Sequence, residues 1–158
     1  MSDVIQGYDF RIVSADGEST ISFMLEQYVP GESPSISCAI EIKDHRFTGR
    51  GSNVWFTLHN FDTFAHQLRG KNVAPRIELA STFPEDFEMS VETLRFRKDQ
   101  LAIRYFLSTG KYGANADRYE VRLSGGFEID QACYLAMIEQ FGRLAALPSL
   151  DTGNMQHP

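Results

Sequence analysis

The sequence predicts an α+β fold: a bent, mainly antiparallel sheet of about eight strands, a short middle helix, and a C-terminal amphipathic helix packed on the sheet's apolar face. Two observations carry this. Apolar residues recur at every second position through Ile21/Phe23/Leu25, Ile36/Cys38/Ile40/Ile42, Val54/Phe56/Leu58, Phe87/Met89/Val91, Leu101/Ile103/Tyr105/Leu107 and Tyr119/Val121/Leu123, the pattern of strands with one buried and one wet face. The spacing then changes to helical in two places, around Phe61 to Leu68 and Tyr134 to Ala145.

The elements follow in order. Tyr8 to Val13 and Thr20 to Leu25 flank Asp16 and Gly17, a tight-turn pair, and read as a hairpin. Pro30, Gly31 and Pro34 break the chain before strands at Ser35 to Ile42 and Asn53 to Leu58, with a loop at Gly49 and Gly51 between them. Phe61, Phe64, Ala65 and Leu68 make one face of a helix with Asn60 as its N-cap and Gly70 at its end. Pro75 opens a strand at Arg76 to Ala80, and Pro84 leads into Phe87 to Phe96.

Lys98 and Asp99 look like the tip of a hairpin to Leu101 to Leu107, but simple pairing sets Tyr105 across from Glu92 rather than from Met89 or Val91. A bulge at Glu92 or Thr93 would return both apolar sets to one face. Gly110 to Asp117 reads as a loop and Arg118 to Leu123 as the last strand, with Gly125 and Gly126 in a plain turn. Asp130 caps the final helix, Ile129 and Tyr134 are spaced for a hydrophobic staple, and Tyr134, Leu135, Ile138, Phe141 and Ala145 form a stripe broadened by Met137 and Leu144 until Pro148. Residues 1–148 are expected to be one domain and 149–158 a flexible tail. No internal repeat is visible.

Composition narrows the function. The chain has 158 residues, an apolar share of 42% and a formal net charge of −6, and its mean hydropathy is −0.27; these suit one globular domain whose 12 phenylalanines supply core bulk. The negative charge argues against nucleic-acid binding, which needs clustered Lys and Arg, and suits a basic partner. No run of apolar residues approaches a membrane span, and Met1 to Gly7 has neither a basic start nor an apolar core, so a cytoplasmic location is expected. Cys38 and Cys133 form neither a disulfide framework nor a zinc-type pair, which fits a reducing compartment.

Candidate chemistry is sparse. His59, Asp62 and His66 share one side of the middle helix, but the side opposite Phe61, Phe64 and Leu68, so a solvated face is expected there rather than a metal site. Cys133 lies in the first turn of the last helix, where the backbone would favour a thiolate, yet Asp130 opposes an anion and packing is the expected role. Neither Gly125–Gly126 nor Gly49–Arg50–Gly51 has phosphate-loop spacing, and no serine nucleophile motif occurs. No cofactor and no metal are expected. Glu85, Asp86, Glu88 and Glu92 carry four negative charges with Arg95, Arg97, Lys98 and Arg104 just beyond, a pattern that suits cross-strand pairing on a wet face or an acidic docking surface. Trp55 alternates away from Val54 and Phe56 and therefore faces outward, either covered by a loop or anchoring an interface.

The strand ending Trp55, Phe56, Thr57, Leu58 runs directly into the helix of Phe61, Asp62, Phe64 and Leu68. Paired strands follow, with Glu78 in the first, and a closing strand and helix contain Asp130, Gln131, Leu135 and Phe141. Over roughly residues 19–147 this order resembles the WapI-type immunity proteins of bacterial polymorphic toxin systems, a resemblance of pattern rather than of a diagnostic motif. It implies a non-catalytic protein that binds and neutralises a cognate bacterial toxin domain, with Trp55, Glu85, Asp86, Glu88 and Glu92 as candidate contacts. The competing reading is a small-ligand binder or enzyme using a concave sheet pocket.

Overall fold

The computed structural model describes residues 7–70, 76–94, 97–112, 114 and 118–147. Four strands, β1 (Phe10–Val13), β2 (Ser19–Val29), β3 (Ser35–Asp44) and β4 (Phe47–Thr57), precede helix α1 (Leu58–Arg69); four more, β5 (Arg76–Ala80), β6 (Phe87–Leu94), β7 (Arg97–Tyr112) and β8 (Arg118–Ile129), precede α2 (Gln131–Ala145). The strands form two antiparallel sheets in the orders β1-β2-β3-β4 and β5-β6-β7-β8. The α+β class is as expected. The eight strands divide between two sheets, and the same order of four strands and a helix occurs twice although the sequence shows no repeat.

Alternation sets the buried faces. Ile21, Phe23, Ile36, Cys38, Ile40, Ile42, Val54 and Phe56 are at most 2% exposed in the first sheet, and Phe87, Met89, Val91, Ile103, Tyr105 and Leu107 line the inner face of the second. One core joins them. The Phe23 ring meets Phe10, Phe87 and Phe141 at 4.8, 5.7 and 5.7 Å, and Phe56 meets Phe61 and Phe87 at 5.0 and 5.9 Å. Most of these rings meet edge to face, the favoured arrangement of aromatic quadrupoles.

The Asp16–Gly17 hairpin is present. The Asp16 carboxylate accepts from Ser14 Oγ at 2.6 Å and from the Glu18 amide at 3.0 Å, which holds its pKa below the usual carboxylate value, and Gly17 takes φ 78°. Gly49 and Gly51, expected in a loop, lie inside β4. The turn falls at His45–Arg46 instead, with Asp44 paired to Phe47 and His45 left-handed at φ 53°. Both glycines mark close approach of the other sheet: a Cβ at Gly49 would stand 2.8 Å from Leu123 Cδ2 and one at Gly51 3.0 Å from Leu107 Cδ1.

The phase conflict in β6–β7 is resolved by a register shift between Thr93 and Leu94, so Phe87, Met89 and Val91 pair with Leu107, Tyr105 and Ile103. Leu94 pairs directly with Arg97, so Lys98 and Asp99 lie within β7 rather than at the hairpin tip; residues 95–96 lie outside the described residues. β7 also continues through Gly110 to Tyr112, and β8 through Gly125 and Gly126 to Ile129, correcting the loop and turn expected there. The glycine pair again permits contact: a Cβ at Gly125 would lie 2.7 Å from Tyr105 Oη, and one at Gly126 2.6 Å from the Ile103 carbonyl oxygen. The 149–158 tail lies outside the described residues.

Helix α1 starts earlier than expected. Thr57, not Asn60, is the N-cap, its Oγ1 accepting from the Asn60 amide at 3.2 Å. Gly70 ends the helix as expected. In α2, Asp130 caps as expected, accepting from the Cys133 amide at 2.8 Å. Its buried stripe is Met137, Phe141 and Leu144, whereas Leu135 is 55% exposed. The contact with α1 turns the helix this way: Phe141 meets Phe64 at 4.9 Å, and the Tyr134 hydroxyl donates to the Leu68 carbonyl.

Candidate functional site

The outward face of the second sheet concentrates charge. With Phe87, Met89 and Val91 turned inward, Glu88, Ser90 and Glu92 must face out. Register places Arg76 across from Glu92, and both Glu78 and Arg104 across from Ser90. Arg76 Nε lies 2.8 Å from Glu78 and 3.8 Å from Glu92, its Nη2 is 3.5 Å from Glu88, and Arg104 Nε is 3.1 Å from Glu92. Three carboxylates and two guanidinium groups thus form one lattice, and Glu92 bridges the two arginines. Ser90 lies beneath it, 2% exposed, with no hydrogen-bond partner for Oγ among the described residues. Beside the lattice, the Arg122 guanidinium stacks 4.1 Å from the centre of the Phe106 ring.

The four acidic residues singled out from the sequence fall into two groups. Glu88 and Glu92 belong to the lattice. Glu85 and Asp86 lie in the turn before β6, whose carbonyls are fastened to β7: Ser108 Oγ donates to Glu85 O at 2.5 Å and the Ser108 amide to Asp86 O at 2.8 Å. Asp86 also lines a hollow of about 300 Å³ with Ser52, Val54, Ser108 and Thr109.

Trp55 lies on the outer face of the first sheet, half-buried, across from the fully buried Ser37. The Thr82 amide donates to its carbonyl at 2.7 Å, so the turn bearing Glu85 and Asp86 is tied to the strand bearing Trp55. Sequence reasoning missed Arg76 and Glu78. Pairing the Arg76–Ala80 strand against Phe87–Val91 would have found them, since that register sets Arg76 opposite Glu92.

Groups capable of covalent or metal chemistry lie elsewhere. His59, Asp62 and His66 are exposed, on the face predicted, and His66 Nδ1 lies 3.3 Å from the Asp62 carboxylate. Among the described residues no group of three or more His, Cys, Asp or Glu is placed to hold a metal ion. Cys38 is wholly buried, and burial, aided by Glu26 and Asp9, drives its pKa far up. Burial likewise raises the Cys133 thiol, against a hydrogen bond with the Val13 backbone that lowers it; neither thiol is poised as a nucleophile. No described helix is long and apolar enough to cross a membrane. A hollow of about 510 Å³ is open to solvent on the outer side of the first sheet between Asp9, Arg11, Ser22, Met24 and Glu41.

No family model matches the chain, and no curated protein matches it in sequence. Among solved structures, the crystal structures of Trypanosoma brucei MRP1/MRP2 are similar at 10% identity and a TM-score of 0.39, over 94% of this chain and 86% of that one. So distant a likeness has no bearing on function.

Proposed function

We propose that this protein is a non-catalytic binding protein that neutralises a cognate toxin domain in bacteria, using the acidic surfaces around β6. The observation that carries the reading is the lattice of Arg76, Glu78, Glu88, Glu92 and Arg104. Side chains already held by one another lose less conformational freedom on docking, and their carboxylates, with the net charge of −6, steer a basic partner towards the sheet. The placement of both cysteines in packing and of both α1 histidines in open solvent gives an enzyme reading no comparable support.

The test is co-expression with the toxin domain encoded beside this gene, scored by survival and by binding kinetics at low and high salt. Glu88→Gln with Glu92→Gln should slow association several-fold and flatten its salt dependence while leaving the fold intact; Glu85→Lys probes the second acidic group separately. Survival and kinetics insensitive to both sets would remove these carboxylates as the docking site. Failure to bind any neighbouring toxin would end the toxin-neutralising reading itself.

A further inference from the structure

β8 is an edge strand of 12 residues. One end of that edge is closed, because the Ala15 amide in the β1–β2 turn donates to Glu128 O at 2.8 Å. Among the described residues no strand covers the stretch from Arg118 to Ser124, which leaves a ladder of amides and carbonyls open to pairing.

A second feature points to what covers it. β4 crosses the second sheet with its inward positions two residues apart: Gly51 sits over Leu107 of β7, and Gly49 over Leu123 of β8, at 3.0 and 2.8 Å from a Cβ built on each glycine. Leu107 and Leu123 are directly paired neighbours. The next inward position, Phe47, therefore overhangs the place where a strand beyond β8 would lie, and this large apolar side chain is 68% exposed. Val121, on the same inner side of β8 as Leu123, is 55% exposed.

We propose that this strand is β8 of a second copy of the chain, paired antiparallel about Val121 so that two four-stranded sheets become one of eight. The sequence of the edge is self-complementary in that register. A two-fold axis at Val121 sets Val121 against itself, Glu120 against Arg122 of the second copy and Arg122 against its Glu120, and it lays the backbone of the second copy's strand alongside Leu123, beneath Phe47. Two opposite-charge pairs and two covered phenylalanines follow from one symmetry element. An unrelated strand has no reason to match both.

The experiment uses this protein alone: light scattering coupled to size exclusion, with analytical ultracentrifugation from low micromolar to millimolar loading, on the full chain and three variants whose folding is checked by thermal melts. Wild type should dimerise. Glu120→Arg puts like charges opposite at both ends of the interface and should weaken the dimer about tenfold. Adding Arg122→Glu restores the complementary pairs in swapped form and should recover most of the loss, while Phe47→Ser should weaken the dimer without lowering the melting temperature of the monomer. A monomer at every concentration overturns the proposal. So does a dimer indifferent to Glu120→Arg and Phe47→Ser, which would place the interface elsewhere, or a double variant no tighter than Glu120→Arg alone, which would exclude this register.

Discussion

The two halves of the molecule share an order of elements and differ in where they put their apolar side chains. In the first half, Phe10, Phe23, Phe56, Phe61 and Phe64 converge, and the second half adds Phe87 and Phe141 to the same cluster. β3 is buried on both faces over Ile36 to Ile40. In the second half the β7–β8 hairpin runs past the core: Val121 is 55% exposed, Leu123 is only partly buried, and β6 and β7 carry an ordered lattice of charge on their outer side. The contrast separates two jobs. The packed aromatic rings gather where α2 meets the first sheet, and the ordered surface charge lies on the second.

Phe141 and Val121 test that division most sharply. Phe141 is fully buried and touches Phe10, Phe23, Phe61 and Phe64 at ring separations from 4.9 to 5.8 Å. Phe141→Ala should lower the unfolding free energy by about 3–5 kcal/mol in a urea melt, through lost transfer energy and the cavity left at the junction of both helices and the first sheet. Val121→Ala should change the monomer by less than about 0.5 kcal/mol. Comparable losses would mean that the β7–β8 hairpin is as much a part of the core as α2.

The same two residues show how far the sequence could be read. Phe141 stood in a helical stripe and Val121 in a strand alternation, and both elements exist; periodicity reports the local period and the face. It says nothing about whether another layer lies over that face, so Val121 and Leu135 looked like core positions and are exposed. The glycines failed for a related reason. A turn and a strand crossed closely by another sheet both require the absence of a Cβ, and only the long-range placement of Leu123 and Leu107 tells them apart at Gly49 and Gly51. The division into two sheets is equally non-local. For the candidate site, the acid run was visible, but its partner Arg76 lies on a different strand and emerges only when β5 is paired with β6.

Glycine substitutions compare the two sheets at a second level. At Gly126 a Cβ would stand 2.6 Å from a main-chain oxygen of Ile103, on the neighbouring strand of its own sheet. At Gly49 the obstacle is Leu123 Cδ2, the end of a side chain that can rotate. Gly126→Ala should therefore destabilise by about 2 kcal/mol, because the ladder itself must move. Gly49→Ala should fall below about 1 kcal/mol, since the reduced freedom of the unfolded chain offsets part of the crowding. Equal effects would show that the contact between the sheets is as unyielding as the ladder within one.

The smallest effect concerns the polar clasp between the halves. Tyr105 Oη of the second sheet donates to Asp44 Oδ2 of the first at 2.5 Å, while Ser19 Oγ donates to Asp44 Oδ1 at 2.7 Å. Burial, reinforced by the hydrogen bond and charge of Asp44, raises the Tyr105 pKa well above its ordinary value. Folding therefore favours the neutral phenol. That contribution is fully present below the unfolded tyrosine pKa of about 10 and is lost as pH rises towards the elevated folded value, since the unfolded chain then releases the proton more readily. Tyr105→Phe should lower stability by about 1 kcal/mol near neutrality, because Asp44 keeps Ser19 and is only partly buried. Above about pH 10 the gap between wild type and variant should narrow. Urea melts at neutral pH and in the alkaline range measure both, and a gap that stays constant would mean that the two sheets are joined here by packing of the ring alone.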